Sequence, residues 1–554
     1  MSESSLCTDR QPEDSRHFQN WISVLLLVEG ALVLTLSLFL VPQVVEVFRK
    51  TPLEPLGRFQ VHVTQFGVFA VGLLASSWGF YELVTRRRGP LILLSLALFC
   101  PVVFTFYFVG YGSDPDAWSL AHAAQQMHPN GGYRVNGHPG PPLYQLVARL
   151  VVPRWSWPGL LLVNTLAGFG GALVWLGLPS EIPAEKRRLV VLGILVQPLF
   201  LLGCGTGLEF IWQMAFLGTA AVLLVRGLAP SRSGEWGWIL VSGVATGLAC
   251  GFSPTSLAAL PVLLAAVLFG RGTWRWKTVG VLLYAAIAGG VALLCQLPVL
   301  LACGAHALKA QSEAAPDPLI AIGQILRFVI PPPAVVLAAI ALLHLVTKGR
   351  SLSQSERPIV GVSLGLVLVF LTSFFLVPSK AACLTLLVPF FAALWGMLVP
   401  RVWHCLCLPA LAVWCFLSLP LAKAAPEGGW KIDLNPSPGP LVEESIQRFR
   451  MMQRAQQILM AMPKKKTAVV VGDDWPVLAT LRPLWVIDDL RLENPEAPVE
   501  FYDWIDPERF SRMKEEGYQF LVVGGADRLT KAKFGYDLFE QGAREWTPKM
   551  RFYR

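Results

Sequence analysis

Long apolar runs alternate with polar connections, most of them short, from residue 20 to residue 422. The runs fall at 20–42, 61–84, 91–110, 158–178, 189–204, 209–225, 236–252, 256–270, 278–302, 331–347, 358–377, 383–399 and 402–422. An α-helix needs about 20 apolar residues to cross roughly 30 Å of hydrocarbon, so the pattern predicts about thirteen transmembrane helices. Some runs are short or broken by proline, which a membrane helix tolerates where its neighbours satisfy the freed backbone groups. Pro331, Pro332 and Pro333 mark a helix boundary. The amphipathic residues 319–330 before them, with Arg327, predict a piece lying in the membrane interface.

At residue 424 the apolar runs shorten and charges become dense. A Pro/Gly linker leads to a predicted helix over 441–462. Strand-length apolar runs follow at 467–472, 484–488 and 519–524, with a helix at 507–516 between the last two. This predicts a small α/β domain with a partly parallel sheet. Three regions result: an N-terminal tail at 1–19, a membrane domain at 20–423 and the α/β domain at 424–554. Gly472-Asp-Asp-Trp lacks the spacing of a dinucleotide-binding loop.

Basic residues keep time with the spans. Arg86, Arg87 and Arg88; Lys186, Arg187 and Arg188; Arg226 with Arg232; Arg271, Arg275 and Lys277; Lys348, Arg350 and Arg357; and Arg401 fall in alternate connections. Basic connections stay in the cytoplasm, so the chain is expected in the cytoplasmic (inner) membrane with residues 111–157, 205–209, 253–256, 303–318, 377–381 and the C-terminal domain outside. An odd number of spans gives the same sidedness. The first outward loop, with Arg49, Lys50 and Arg58, is the one exception. Residues 20–42 are too long for a signal-peptide core and are expected to stay as an anchor.

Composition agrees: 54% of residues are hydrophobic, 15% are charged and the mean hydropathy is +0.52, far too apolar for a soluble protein. The net charge of +9 does not point to nucleic acid, because acids and bases balance from residue 424 onward and the excess sits between membrane spans. Nine of the ten cysteines lie in or beside apolar runs and none lies in the C-terminal region, so no disulfide framework is legible. Cys405 and Cys407, one residue apart beside His404 in an apolar helix, do not have the spacing of a zinc site.

The densest chemistry lies in the loop at 111–157. Asp114 and Asp116 stand at the mouth of a span, before a short amphipathic helix and a His138-Pro-Gly-Pro-Pro turn. Ser113 and Asp114 are also of the type that caps a helix, and Asp114 precedes Pro115, which suits an N-cap followed by proline in the first turn. Asp116 lies one step inside the helix, two residues before Trp118.

Asp116-Ala-Trp118, Gly132-Tyr133 and His138-Pro-Gly-Pro-Pro-Leu143 together resemble the first outward loop of GT-C membrane glycosyltransferases, such as the protein mannosyltransferases and the lipid A aminoarabinose transferases. The family usually has Lys or Arg where His138 stands, and it lacks Gly140. The resemblance implies a GT-C-like enzyme of hexosyl- or pentosyltransferase type. Such an enzyme takes a sugar from a polyprenyl-phosphate carrier and passes it to a protein, lipid or envelope-glycan acceptor outside the membrane, by direct displacement with inversion. Membrane lipids and an acceptor protein or glycolipid are the implied partners. Asp116 and Asp114 are then the catalytic carboxylates, and Glu209 stands where related bacterial enzymes carry a second acid. Lys380 matches an outward basic corner before Pro389, with His138 and Arg134 assisting at the carrier phosphate.

Asp114, Asp116 and Glu209 offer the oxygen donors that Mg²⁺ or Mn²⁺ prefers. The family has metal-dependent and metal-independent members, so a metal on Asp116 and Glu209 stays open. Two rivals remain: a transporter or flippase for a lipid-linked substrate, and a non-catalytic relative of the enzymes, which the His138 and Gly140 departures keep open. A flippase should carry charges deep within several spans, whereas the acids here gather at outward edges.

Overall fold

The computed structural model describes residues 110–126, 141–229, 236–270, 273–303, 322–348, 352–376, 381–418, 423–424, 430–431, 437–460, 466–472, 475–486, 499–502, 504–523 and 526–546. The first three predicted spans, apart from Gly110, lie outside these residues. Helix α1 (Pro115–Gln126) is followed by α2 (Pro142–Leu173), which ends in a 3-10 turn at Val174–Gly177. Then come α3 (Ala184–Leu195), α4 (Pro198–Gly205), α5 (Phe210–Gly227), α6 (Trp236–Phe252), α7 (Leu260–Phe269) and α8 (Trp274–Cys303). Helices α9 (Pro332–Lys348), α10 (Glu356–Leu376), α11 (Val388–Leu398) and α12 (Arg401–Phe416) complete the bundle. Prolines punctuate it: Pro115, Pro142, Pro198, Pro332 and Pro389 each stand in a first turn, where the missing N–H costs nothing.

The chain is a multi-pass membrane protein. Among the described residues, the helices at Pro142–Gly177, Phe210–Gly227, Trp274–Ala302 and Glu356–Phe375 are long and apolar enough to cross a membrane. Two bent pairs bring the number to six: α3 with α4 at 60°, and Ile322–Val329 with α9 at 92°. The second bend falls at Pro331, as expected, and the piece before it winds into a π-helix at Ile325–Val329.

Helix α2 is not one straight rod. Ser156 has φ 51° and ψ −150°, between Pro153 and Pro158. Asn164 Nδ2 donates to Tyr144 Oη at 2.9 Å, although twenty residues of straight helix would set them about 30 Å apart. The chain therefore turns back at Ser156, so that residues 142–155 belong to the loop and the span proper begins at Trp157.

Small residues bring the spans into close contact, the usual device where lipid supplies no hydrophobic drive between helices. A Cβ on Gly247 would come 2.5 Å from Val291, and one on Gly171 2.5 Å from Ala215. The basic connections meet at one end: Lys186 pairs with Glu356 at 2.6 Å and donates to Met397 O at 3.1 Å, and Arg401 pairs with Glu185 at 2.8 Å. A cavity of about 700 Å³ between α7 and α10, with Arg357 in its lining, also lies at this basic end.

After α12, two short antiparallel ladders pair β1 (Leu417–Ser418) with β4 (Ser437–Pro438), and β2 (Lys423–Ala424) with β3 (Trp430–Lys431). Helix α13 (Pro440–Met460) leads to β5 (Thr467–Val470), α14 (Trp475–Val486), β6 (Val499–Tyr502), α15 (Pro507–Glu515), β7 (Gln519–Val523), α16 (Asp527–Phe534) and β8 (Arg544–Trp546). The sheet runs β6-β5-β7-β8 and is parallel throughout, rather than partly so. Of the strand expected at 484–488, residues 484–486 are instead the end of α14, whose Val477, Leu478 and Leu481 bury one helical face, and residues 487 and 488 lie outside the described residues. A five-residue apolar run does not separate these cases by periodicity.

Strand β5 alternates: Ala468 and Val470 pack with Phe510 and Phe520, while Val469, and Val471 just past the strand, face the other way. That second face shares one core with Met452, Ala455 and Ile458 of α13, with Val477 and Leu481 of α14, and with Trp118 and Ala121 of α1. The C-terminal sheet and the loop helix are thus buried against a common layer.

Candidate active site

The loop starts in backbone that only glycine holds easily. Gly110 has φ 73°, and a Cβ there would come 2.4 Å from the Trp118 ring. Trp118 is fully buried, donates its indole N–H to Gly112 O at 2.7 Å and meets Tyr111 edge-on at 5.2 Å. These contacts fix the start of α1.

Asp114 caps that helix. Its Oδ1 accepts the Asp116 N–H at 2.9 Å and its carbonyl accepts the Ala117 N–H at 3.2 Å. Asp116 is exposed in the first turn, where the helix dipole favours an anion. Of the two aspartates, it is the one whose carboxylate stands outward.

Tyr111 joins this loop to the turn that carries Glu209. Its carbonyl accepts the Gly207 N–H at 2.5 Å, and its hydroxyl lies 3.4 Å from Ser156 Oγ. Burial pushes the Tyr111 phenol well above its ordinary range, so it stays neutral. Asn164, fully buried, holds the same turn: Nδ2 donates to Thr206 O at 2.6 Å, and Oδ1 accepts the Trp212 indole N–H at 2.8 Å. Half-buried Glu209 closes the turn, and its carbonyl accepts from Trp212 N at 2.9 Å and Gln213 N at 3.1 Å. Asp114, Asp116 and Glu209 are therefore brought to one end of the bundle by two tethered segments.

A further pair holds both segments. Glu444 of α13 accepts from Ser113 twice, from the backbone N–H at 2.9 Å and the hydroxyl at 2.6 Å. Arg448, one turn on and with only 1% of its side chain exposed, donates Nε to Glu444 at 2.8 Å and Nη2 to Gly205 O at 2.8 Å. Burial pushes the Glu444 carboxyl up, but the Arg448 charge and the two Ser113 bonds outweigh it and leave the carboxyl below its ordinary range. A depressed carboxyl stabilises the fold above its unfolded value and loses that contribution as pH falls through the folded one. The melting-temperature gap between the wild type and Glu444→Gln is therefore expected to be wide at pH 7 and to shrink below about pH 4. Thermal scans across that range check it.

The C-terminal region also touches α1 directly. Thr480 Oγ1 donates to Trp118 O at 3.1 Å, and the His122 ring meets Trp475 edge-on at 5.4 Å. Burial lowers the His122 pKa, which keeps the imidazole neutral. On the other flank, Glu443 pairs with Arg327, whose carbonyl accepts the Trp414 indole N–H at 3.3 Å.

His138 and Arg134, with Gly132 and Tyr133, lie outside the described residues, as does Lys380. The 3-10 helix that Lys380 precedes, Ala381–Leu387, packs at this end: a Cβ on Gly203 would come 3.3 Å from Thr385 Cγ2. Among the described residues no group of three His, Cys, Asp or Glu side chains is gathered to hold a metal ion. Asp114, Asp116 and Glu209 do not form a donor set for Mg²⁺ or Mn²⁺ as they stand. Glu444, Arg448 and Ser113 escape sequence reasoning in these roles, because an i,i+4 Glu–Arg pair on a polar helix looks like an ordinary surface pair.

No family model and no curated protein matches the chain. Among solved structures it is similar to ArnT from Cupriavidus metallidurans bound to undecaprenyl phosphate, with a TM-score of 0.46 and 14% identity over 81% of this chain and 89% of that one. The apo state of the same protein gives a TM-score of 0.46 and 16% identity over the same shares.

Proposed function

We propose that the chain is a GT-C-like glycosyltransferase that moves a sugar from a polyprenyl-phosphate carrier to an acceptor on the outer side of the cytoplasmic membrane. The observation that carries this is the division of labour between the two aspartates, with Asp114 spent on the helix cap and Asp116 exposed in the first turn, on a loop that Tyr111 ties to the turn before Glu209. The resemblance of the loop to GT-C enzymes supports it from the sequence side.

In this mechanism the acceptor oxygen attacks the anomeric carbon as the bond from that carbon to the phosphate oxygen breaks, inverting the centre. The acceptor's proton passes to the Asp116 carboxylate, and the electron pair leaves with polyprenyl phosphate. Lys380, with Arg134 and His138, stabilises the charge that develops on the departing phosphate. Glu209 assists Asp116 or orients the acceptor. Residues 20–423 form the catalytic membrane domain and residues 424–554 the outer domain that roofs it.

Mass spectrometry of lipid extracted from the purified protein tests this. A polyprenyl phosphate or its glycoside is expected with the wild type, and a glycosylated form should accumulate with Asp116→Asn. Absence of any polyprenyl lipid from both would overturn the proposal.

The sidedness has its own test. A cysteine at exposed Ser511, on a cysteine-free background, is expected to react with an impermeant thiol reagent in intact cells. One at exposed Ser353 should react only after lysis.

A further inference from the structure

We propose that Glu444 and Arg448 are positioning residues, a strap by which the C-terminal domain holds the acidic loop in register with the Glu209 turn. This rests on the glycosyltransferase role proposed for the site. The geometry is closed on both sides. Glu444 takes both hydrogen-bond donors of Ser113, the residue before the Asp114 cap, at 2.9 and 2.6 Å. Arg448 holds Glu444 and donates to Gly205 O at 2.8 Å, four residues before Glu209. One i,i+4 pair on one helix therefore spans the two segments that bear the candidate carboxylates.

The surroundings make the strap stiff. Arg448 is buried, and its Nη2 lies near enough to Gly112 that a Cβ there would come within 3.6 Å. Water does not compete for the guanidinium, so its bonds act in a low dielectric. Helix α13 cannot slide, because Met452, Ala455 and Ile458 sit in the core that it shares with α1 and the sheet. The outer domain thereby fixes where Asp116 stands relative to Glu209, and a misplacement of about 1 Å in such a constellation can cost around a hundredfold in rate.

The test uses the full chain in lipid nanodiscs with three variants. Ser113→Ala removes the loop's hydroxyl and leaves the ion pair whole. Glu444→Gln keeps the shape without the charge. Glu444→Gln with Arg448→Met removes the pair together, so no buried charge is stranded. Amide hydrogen exchange over residues 111–118 and 205–209 is expected to rise about tenfold or more in the double variant and less in Ser113→Ala. Exchange over Ala184–Leu195, at the basic end, should not change.

Turnover with carrier lipid extracted from the native membrane should fall about tenfold in Ser113→Ala, with KM for the carrier and the melting temperature both near wild type. Wild-type exchange in both segments of the double variant would overturn the strap. A rise in KM at constant kcat would overturn the positioning role. If the wild type transfers no sugar, the proposed function fails, while the exchange measurement still decides whether the strap exists.

Discussion

Asp116→Asn is expected to lower sugar transfer by about a hundredfold to ten-thousandfold, the usual cost of removing a general base. Expression and melting temperature should stay near wild type, because the side chain is exposed and the helix start is held by other groups. Asp114 supplies the cap through Oδ1, and Trp118 locks the first turn from the buried side. The contrasting variant is Asp114→Asn. Asparagine caps nearly as well as aspartate, so this variant should retain most activity, whereas Asp114→Ala should lose about 1 kcal/mol of stability. Transfer measured as release of polyprenyl phosphate, with thermal scans of the same preparations, checks both expectations. A dead Asp114→Asn beside an active Asp116→Asn would move the base to Asp114 and shift the loop match by two residues.

The membrane bundle was legible because its signal is simple. Each described span lies within a few residues of an apolar run, since lipid demands continuous apolarity and satisfied backbone. The basic connections that hold Lys186, Arg357 and Arg401 meet at one end of the bundle, through the Lys186–Glu356 and Arg401–Glu185 pairs. Short apolar runs were less informative. Residues 484–488 look like a strand, yet Trp475-Pro476 opens a helix that reaches Val486, and only packing of Val477 and Leu481 against the shared core decides it. The turn at Ser156 was visible as two prolines, but its consequence, Tyr144 folded back onto Asn164, needs the third dimension.

The candidate site was legible in part for a different reason. Asp114, Asp116 and Glu209 announce themselves as acids beside apolar runs. That Asp114 is the cap follows from local chemistry, since Ser-Asp-Pro before a helix leaves the carboxylate little else to do. What joins these residues was not legible. The Tyr111 carbonyl, the Gly207 N–H and the Gly205 carbonyl are backbone groups and leave no mark in a sequence. Glu444 and Arg448 do leave a mark, but more than three hundred residues separate Glu444 from Ser113, and nothing local says that the pair is buried.

Arg448→Ala is expected to destabilise the chain by about 3–5 kcal/mol, the cost of stranding one member of a buried ion pair. Three losses combine. Glu444 keeps its burial without its cation, the Gly205 carbonyl loses a charge-assisted donor, and a cavity opens where a fully buried side chain stood. Arg448→Lys should recover only part, because an ammonium reaches as a single point, while the guanidinium bonds Glu444 through Nε and Gly205 through Nη2 at once. The double variant Glu444→Gln with Arg448→Met should be more stable than Arg448→Ala, since pairs removed together leave no uncompensated charge. Thermal unfolding of the four proteins in one lipid environment measures the differences, and the cycle built from Glu444→Gln, Arg448→Met and their double variant gives the coupling. A coupling near zero would mean that Glu444 and Arg448 do not act as one unit, and the strap between the two segments would be overturned.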